Sequence, residues 1–308
     1  MRAHRPKIVV LAGPTASGKT GLGLMLAEEF GGEIVSADSI QVYRYLDVGS
    51  AKPTAEERAR VPHHMIDVRS PDEQFSAGDY VREARASIRA VLDRGAVPFV
   101  VGGTGLYIRL LLGGIVDVPA SDFSLRQRLL EEARRCGEAK MWTRLSQVDP
   151  ETARQTSAAN LVRVLRGLEV LELTGKPLSA IQRGHALSDR PYASLFLVVS
   201  PPRELLYERI DKRVDSMIKG GLLEEVARIY GSGYSRELKP LQSIGYRHAG
   251  MVLAGEMGER EAIALMKKDT RRYAKRQFTW FRSEHGALWY DPEDVSRIRL
   301  EVSHFLGR

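Results

Sequence analysis

Apolar residues follow two rhythms along this chain, and the switches between them outline a fold. Lys7 to Ala12 (KIVVLA) is a continuous, largely β-branched run closed by glycine, the pattern of a strand buried on both faces. Lys19 to Phe30 then takes up helical spacing until Gly31-Gly32 stop it. Glu33 to Ala37 reads as a second short strand that ends at Asp38. After a polar stretch, Ser76 begins a helix as N-cap, with Asp79 at the capping-box position and Tyr80, Ala84, Ile88 and Val91 along one face. Gly95 ends that helix, and Val97 to Val101 is a third strand. Strand–helix–strand alternation implies a parallel sheet with helices on both faces.

The alternation stops at about Pro119. From there to Arg190 every apolar pattern is helical, including Leu125 to Cys136 and Leu161 to Leu173, the latter ended by Gly175 and Pro177. Strand character returns at Leu195 to Ser200 (LFLVVS). Helices follow from Glu204 to Tyr230 and from Glu259 to about Arg282, and a short apolar patch, Ala287 to Tyr290, precedes a last helix. The expected organisation is an α/β core, 1–118 with 191–308, interrupted by a helical insertion, 119–190. No repeat or low-complexity segment is visible.

The sharpest chemical signal lies between the first strand and the first helix. Gly13-Pro14-Thr15-Ala16-Ser17-Gly18-Lys19-Thr20 satisfies G-x-x-x-x-G-K-[ST] in the context that motif requires. Its glycines let backbone N–H groups point inward at phosphate oxygens, Lys19 adds a point charge, and the Thr20 hydroxyl is placed to ligate Mg²⁺. The core is therefore expected to be P-loop NTPase-like, and the usual guest of such a loop is ATP. Two further strand ends should open on the same crevice. The second strand delivers Asp38, within SADSIQVYR, as a metal ligand, a general base or a turn cap. The third ends in Gly102-Gly103-Thr104-Gly105-Leu106-Tyr107, where Thr104 can present a hydroxyl. Arg209 and Arg213, four apart on a helix, could clamp an anion or pair with Glu208 and Asp211. His63-His64 reads as a structural or surface pair rather than a metal site, because adjacent side chains do not readily converge on one ion.

Charge then names a kind of partner. Lys and Arg number 46 against 39 acidic residues, a net charge of +7. The excess concentrates in KKDTRRYAKRQFTWFR (267–282), where seven basic residues face Asp269 alone and Tyr273, Phe278, Trp280 and Phe281 are interleaved. A basic helix with aromatics can track phosphates and stack on bases, which points to a nucleic acid. The single cysteine, Cys136, excludes an internal disulfide and a cysteine zinc cluster and suits a reducing cytoplasm. With no signal-peptide pattern at the start and no stretch of membrane-spanning length, the expectation is a cytoplasmic protein without a membrane partner.

Taken together, the P-loop and the segment Asp38-Ser39-Ile40-Gln41-Val42-Tyr43-Arg44 resemble the bacterial tRNA dimethylallyltransferase family. So do Gly49-Ser50-Ala51-Lys52-Pro53, Pro62 to Asp67 (PHHMID), Gly102 to Tyr107, Arg163 to Val170 (RVLRGLEV), Gln242 to Arg247 (QSIGYR) and Lys275 to Arg282 (KRQFTWFR). The likeness runs along nearly the whole chain, and the ordered set is more specific than any one motif. Ser50 stands where the family has threonine, and the zinc finger of eukaryotic members has no counterpart.

The resemblance implies transfer of a dimethylallyl group from dimethylallyl diphosphate to N6 of the adenosine just 3′ of the anticodon, by a monomer using Mg²⁺. Residues 13–20 would hold the diphosphate. Asp38 would take a proton from the adenine amine, Thr104 would contact the bridging oxygen, and Arg213 with Arg209 the outer oxygens. Expected tRNA contacts are Asp38, Ser39, Ile40 and Gln41; Arg126; Val162, Arg163, Val164, Leu165 and Arg166; Gln242, Ser243, Ile244, Gly245, Tyr246 and Arg247; and Lys275, Arg276, Gln277, Phe278, Thr279, Trp280, Phe281 and Arg282. The helical insertion would close on the anticodon stem-loop. The main rival is an ATP-dependent kinase of the same fold, and a second is a non-catalytic RNA-binding NTPase switch. The chain lacks the N-K-x-D guanine-reading motif, and neither the Val97–Val101 nor the Leu195–Ser200 strand ends in an acidic residue. Only Asp38 is left as a second metal residue for an ordinary ATPase.

Overall fold

A computed structural model describes residues 5–114, 119, 122–185 and 189–308. The chain divides into two compact units, residues 1–112 with 191–308 and residues 113–190.

The first unit begins with β1 (Lys7–Ala12), α1 (Lys19–Glu29), β2 (Gly32–Ser36), α2 (Ala55–Arg60) and the two-residue β3 (His63–His64). It continues with α3 (Ala77–Asp93), β4 (Val97–Gly102) and α4 (Gly105–Gly113). The Ser76–Asp79 capping box expected at the start of α3 is formed, with Ser76 Oγ accepting from Asp79 N at 3.1 Å and Asp79 Oδ2 accepting from Ser76 N at 2.9 Å. The second unit is helical: α5 (Phe123–Cys136), α6 (Glu138–Val148), α7 (Pro150–Arg154), α8 (Leu161–Thr174) and α9 (Leu178–His185). Leu129, Met141, Leu145, Val164 and Leu168 form its core.

The chain returns to the first unit with β5 (Ala193–Val199), α10 (Arg203–Lys219), α11 (Leu222–Gly231), α12 (Tyr246–Leu253) and α13 (Glu259–Arg282). β6 (Leu288–Tyr290) and α14 (Val295–Leu306) complete it. The apolar patch before the last helix is thus a strand, recruited to the sheet edge by parallel pairing with β5. His63-His64 is likewise an edge strand, too short for a periodicity to show.

The sheet runs β3-β2-β4-β1-β5-β6, every pair parallel. Helices cover both faces, as the alternation implied. Val9, Leu11, Phe99, Val101 and Leu197 meet Leu26, Ile298 and Val302 of α1 and α14. Phe196 points the other way and meets Phe281 of α13 edge-on. Because β4 inserts between β1 and β2, the loops that follow these three strands emerge side by side at their carboxyl ends. Ligands of open α/β sheets bind there.

Candidate active site

The loop after β1 closes through Ser17 N donating to Pro14 O at 3.2 Å, and enters α1 at Gly18, whose φ of 92° favours glycine. Among the described residues no side chain caps α1, and no acidic residue lies in its first turn. Its leading N–H groups are therefore free for an anion. Lys19 lies back over the loop, with Nζ donating to Pro14 O at 3.1 Å. Its pKa is lowered to about 8, chiefly by burial and then by the nearby Arg213 guanidinium, while the Asp38 charge acts in the opposite direction.

The loops after β2 and β4 are laced together. Ala37 N donates to Val101 O at 2.8 Å and Thr104 N to Ala37 O at 3.0 Å. The Thr104 hydroxyl accepts from Ser39 N at 3.1 Å. Asp38 Oδ1 accepts from Ile40 N at 2.8 Å and Gln41 N at 3.2 Å. Asp38 is therefore the turn cap that its type suggests, yet Oδ2 carries no hydrogen bond among the described residues. On α10, Arg213 donates through Nη2 to Ser50 O at 3.3 Å.

One pocket gathers these groups apart from Thr104, whose neighbour Gly103 lines it. Lys19, Thr20, Asp38, Gln41, Arg213 and Gln277 all line it. Arg209 stands beside the loop, since a Cβ on Gly18 would lie 3.7 Å from its Nη1. The alternative pairing of the two arginines with Asp211 does not form, because Asp211 is bonded by Arg271 at 2.9 Å. Arg209 instead lies 3.6 Å from Glu293. The pocket thus combines cationic side chains and N–H donors with a carboxylate. His63 also lines the pocket, its ring lowered in pKa by burial and its Nδ1 2.7 Å from Val61 O. His64 turns to Glu33 at 2.6 Å instead, so the pair does not converge.

Several residues expected on the RNA-facing surface are interior. On α13 the buried stripe is Met266, Thr270, Ala274, Gln277 and Phe281, at intervals of three and four. Phe281 is fully buried, which removes it as a stacking platform. Val164 and Leu165 face the core of the helical unit. Tyr246 is buried with its hydroxyl donating to Glu225 Oε1 at 2.7 Å, and Gly245 beside it is buried too. These corrections share a cause: an amphipathic helix must spend one face on its own core, whatever motif it carries. Exposed positions include Val162, Arg163, Gln242, Lys275, Arg276, Thr279 and Arg282, while Ser39, Ile40, Arg126, Arg166, Ser243, Ile244 and Arg247 are partly exposed. Phe278 and Trp280 are half-buried, the first against Trp289 and under Arg282, the second under Arg109.

Sequence reasoning missed two organisers. Glu225 accepts from Asp47 N, Val48 N and Gly49 N at 3.2, 2.7 and 3.2 Å, which fixes the turn before Ser50. Lys52, buried to its ammonium, bonds Tyr43 O at 2.9 Å, Asp47 at 2.5 Å and Asp67 at 2.6 Å. Its place in the Gly49–Pro53 segment was the only signal; Glu225 had none.

A family model described as IPP transferase matches residues 41–284, which include Thr104, Arg213 and Gln277. The chain belongs to this family. A protein of Desulfosudis oleivorans named tRNA dimethylallyltransferase is 48% identical over 98% of the chain and 96% of its own length. One of Citrifermentans bemidjiense, named tRNA dimethylallyltransferase 1, is 50% identical over 98% and 97%. Among solved structures, a full-length tRNA isopentenylpyrophosphate transferase from Bacillus halodurans is 36% identical, covers 98% of this chain and 97% of its own, and superposes with a TM-score of 0.73. A eukaryotic dimethylallyltransferase described as acting on tRNA gives 0.80 at 28% identity, over 94% and 75%. The fold is thus that of the IPP transferases, a family of tRNA-modifying transferases. Ser50 donates its hydroxyl to Leu46 O at 2.6 Å.

Proposed function

We propose that the chain transfers the dimethylallyl group of dimethylallyl diphosphate to N6 of the adenosine 3′ of the anticodon in tRNA. The observation that carries this reading is that Lys19, Arg213 and Asp38 line one pocket.

In this reading the 13–20 loop, Lys19 and Arg213, with Arg209 beside them, bind the diphosphate. The N6 lone pair forms the new bond to C1 of the prenyl group, while the C1–O bond breaks and its electron pair leaves with the diphosphate. Asp38 Oδ2 accepts the N6 proton as the amine becomes a secondary amine. An adenine amine is a poor nucleophile because its lone pair is delocalised, and a base of this kind is typically worth about 10²–10⁴-fold. The Thr104 oxygen already accepts from Ser39 N, so its own proton is available to the bridging oxygen. Preorganised cations around the departing diphosphate act electrostatically on the transition state.

Thr20 and Asp38 bring oxygen donors to the same pocket, the donor class that suits Mg²⁺. Among the described residues no cluster of three His, Cys, Asp or Glu side chains competes for a metal. Thr20 would hold Mg²⁺, which when bound neutralises charge on the leaving group.

The exposed Lys275, Arg276 and Arg282 of α13 would track RNA phosphates, with residues 38–41 and 242–247 supplying nearer contacts. The helical unit would add Arg126, Val162, Arg163 and Arg166. The target adenine must unstack to reach a prenyl carbon in the pocket, and loop bases do so at lower cost than paired ones. The test incubates the protein with labelled dimethylallyl diphosphate and unmodified tRNA, with ATP as competitor. Label in RNA at that adenosine is the expected result; hydrolysis of ATP without label in RNA would overturn the reading in favour of an ATP-dependent enzyme.

A further inference from the structure

Gln277 belongs to the basic helix, yet its amide is spent entirely on the loops that line the pocket. Oε1 accepts from Thr15 N at 2.8 Å, and Nε2 donates to Gly103 O at 2.9 Å. Those partners fix the orientation of the amide, because one is a donor and the other an acceptor. The side chain is buried, and a Cβ on Gly103 would lie 2.4 Å from Nε2, so any side chain there would push the amide off its partners. Gln277 thus spans the phosphate loop after β1 and the loop that carries Thr104. Its neighbours Lys275 and Arg276 are exposed on the same turn.

Resting on the prenyl-transfer reading, we propose that Gln277 is a positioning residue that sets the gap between the diphosphate-holding loop and Thr104. An amide suits this place because it offers a donor and an acceptor side by side. Glutamate would set a carboxylate oxygen against Gly103 O and bring negative charge beside the phosphates. Asparagine is one methylene too short to reach both loops. The bond also ties catalytic alignment to the seating of α13, the helix that offers its basic face to RNA.

The test compares the wild type with Gln277→Leu and with Gln277→Met, which keeps the length and volume of the side chain without its hydrogen bonds. The readouts are single-turnover transfer at saturating substrates, titration with inorganic diphosphate, tRNA affinity and the thermal midpoint. A gap loosened by a fraction of an ångström to an ångström is expected to slow transfer about tenfold to a hundredfold. Diphosphate binding should weaken about threefold, the loss expected for one neutral hydrogen bond to the loop, and tRNA affinity should stay unchanged. A Gln277→Met protein that transfers at the wild-type rate would overturn the proposal, as would a rate loss matched by equal loss of tRNA affinity. If the wild type itself moves no label, the prenyl-transfer reading fails, and the diphosphate titration still judges Gln277: unchanged affinity in Gln277→Met overturns it.

Discussion

Asp38 and Glu225 are two carboxylates that do the same local work, and they diverge in what they leave over. Each gathers the backbone N–H groups of a tight loop. Asp38, which lines the pocket, holds Ile40 N and Gln41 N with one oxygen and leaves the other unbonded among the described residues. Glu225 spends both oxygens, Oε2 on Asp47 N and Val48 N, Oε1 on Gly49 N and the Tyr246 hydroxyl. A buried carboxylate with every lone pair engaged is a strut, whereas one with a spare oxygen facing a cavity can take a proton. The difference lies in the second oxygen, since their residue class and loop chemistry are alike.

The largest effect should come from Asp38→Asn. An asparagine Oδ1 can still cap the 38–41 turn, so folding and diphosphate binding should persist, while transfer falls about 10²–10⁴-fold for want of a base. Single-turnover rates alongside a diphosphate titration check this. Loss of Mg²⁺-dependent diphosphate binding together with the rate would assign Asp38 to the metal instead. Glu225→Ala should do the reverse. It leaves three partly buried backbone donors and a buried tyrosine hydroxyl without their acceptor, and should lower stability by about 2–3 kcal/mol. Transfer by the folded fraction should change less than in Asp38→Asn, because Glu225 touches the pocket only through the turn that carries Ser50 O to Arg213. Urea unfolding and active-site titration separate the two quantities.

This contrast also shows what the sequence could reveal. The phosphate loop, Asp38 and Thr104 were legible because each follows a strand, and parallel strands deliver their ends to one edge. Phe281 was misread because a basic, aromatic-rich segment gives no sign of which aromatics face inward until the 3.6-residue period is anchored to a neighbour such as Phe196. β3 and β6 were not read as strands because two or three residues carry no rhythm. Glu225 and Gln277 were illegible for a deeper reason. Backbone partners such as Gly49 N and Thr15 N lie 176 and 262 residues away in sequence, and only packing brings a carboxylate or an amide to those groups.

Replacing Lys275, Arg276 and Arg282 together should weaken RNA binding and reduce its salt slope by about two to three. None of the three has an ion pair among the described residues, so their charges are available outward, while Lys267 and Arg271 are held by Asp215 and Asp211. Binding isotherms at several salt concentrations check this, and an unchanged slope would return that face to plain solvation.

The smallest effect is the most discriminating between the two carboxylates. Lys19 has a pKa near 8 in the free protein. A bound diphosphate must raise that value, so affinity is full below about 8 and falls as the pH climbs through it. With dimethylallyl diphosphate as the titrant, ionisation of the terminal phosphate is largely complete by then, its last pKa being about 6 as in other phosphate esters. Diphosphate affinity should therefore drop about tenfold between pH 7 and pH 9, or about 1.4 kcal/mol. Lys19→Arg should flatten the profile, because a guanidinium stays protonated throughout. Asp38 is one of the charges that hold the Lys19 value up. Asp38→Asn should then move the fall to lower pH, while Glu225→Gln should leave it where it is. Equal profiles in the two variants would mean that the spare oxygen of Asp38 does not face the phosphate site.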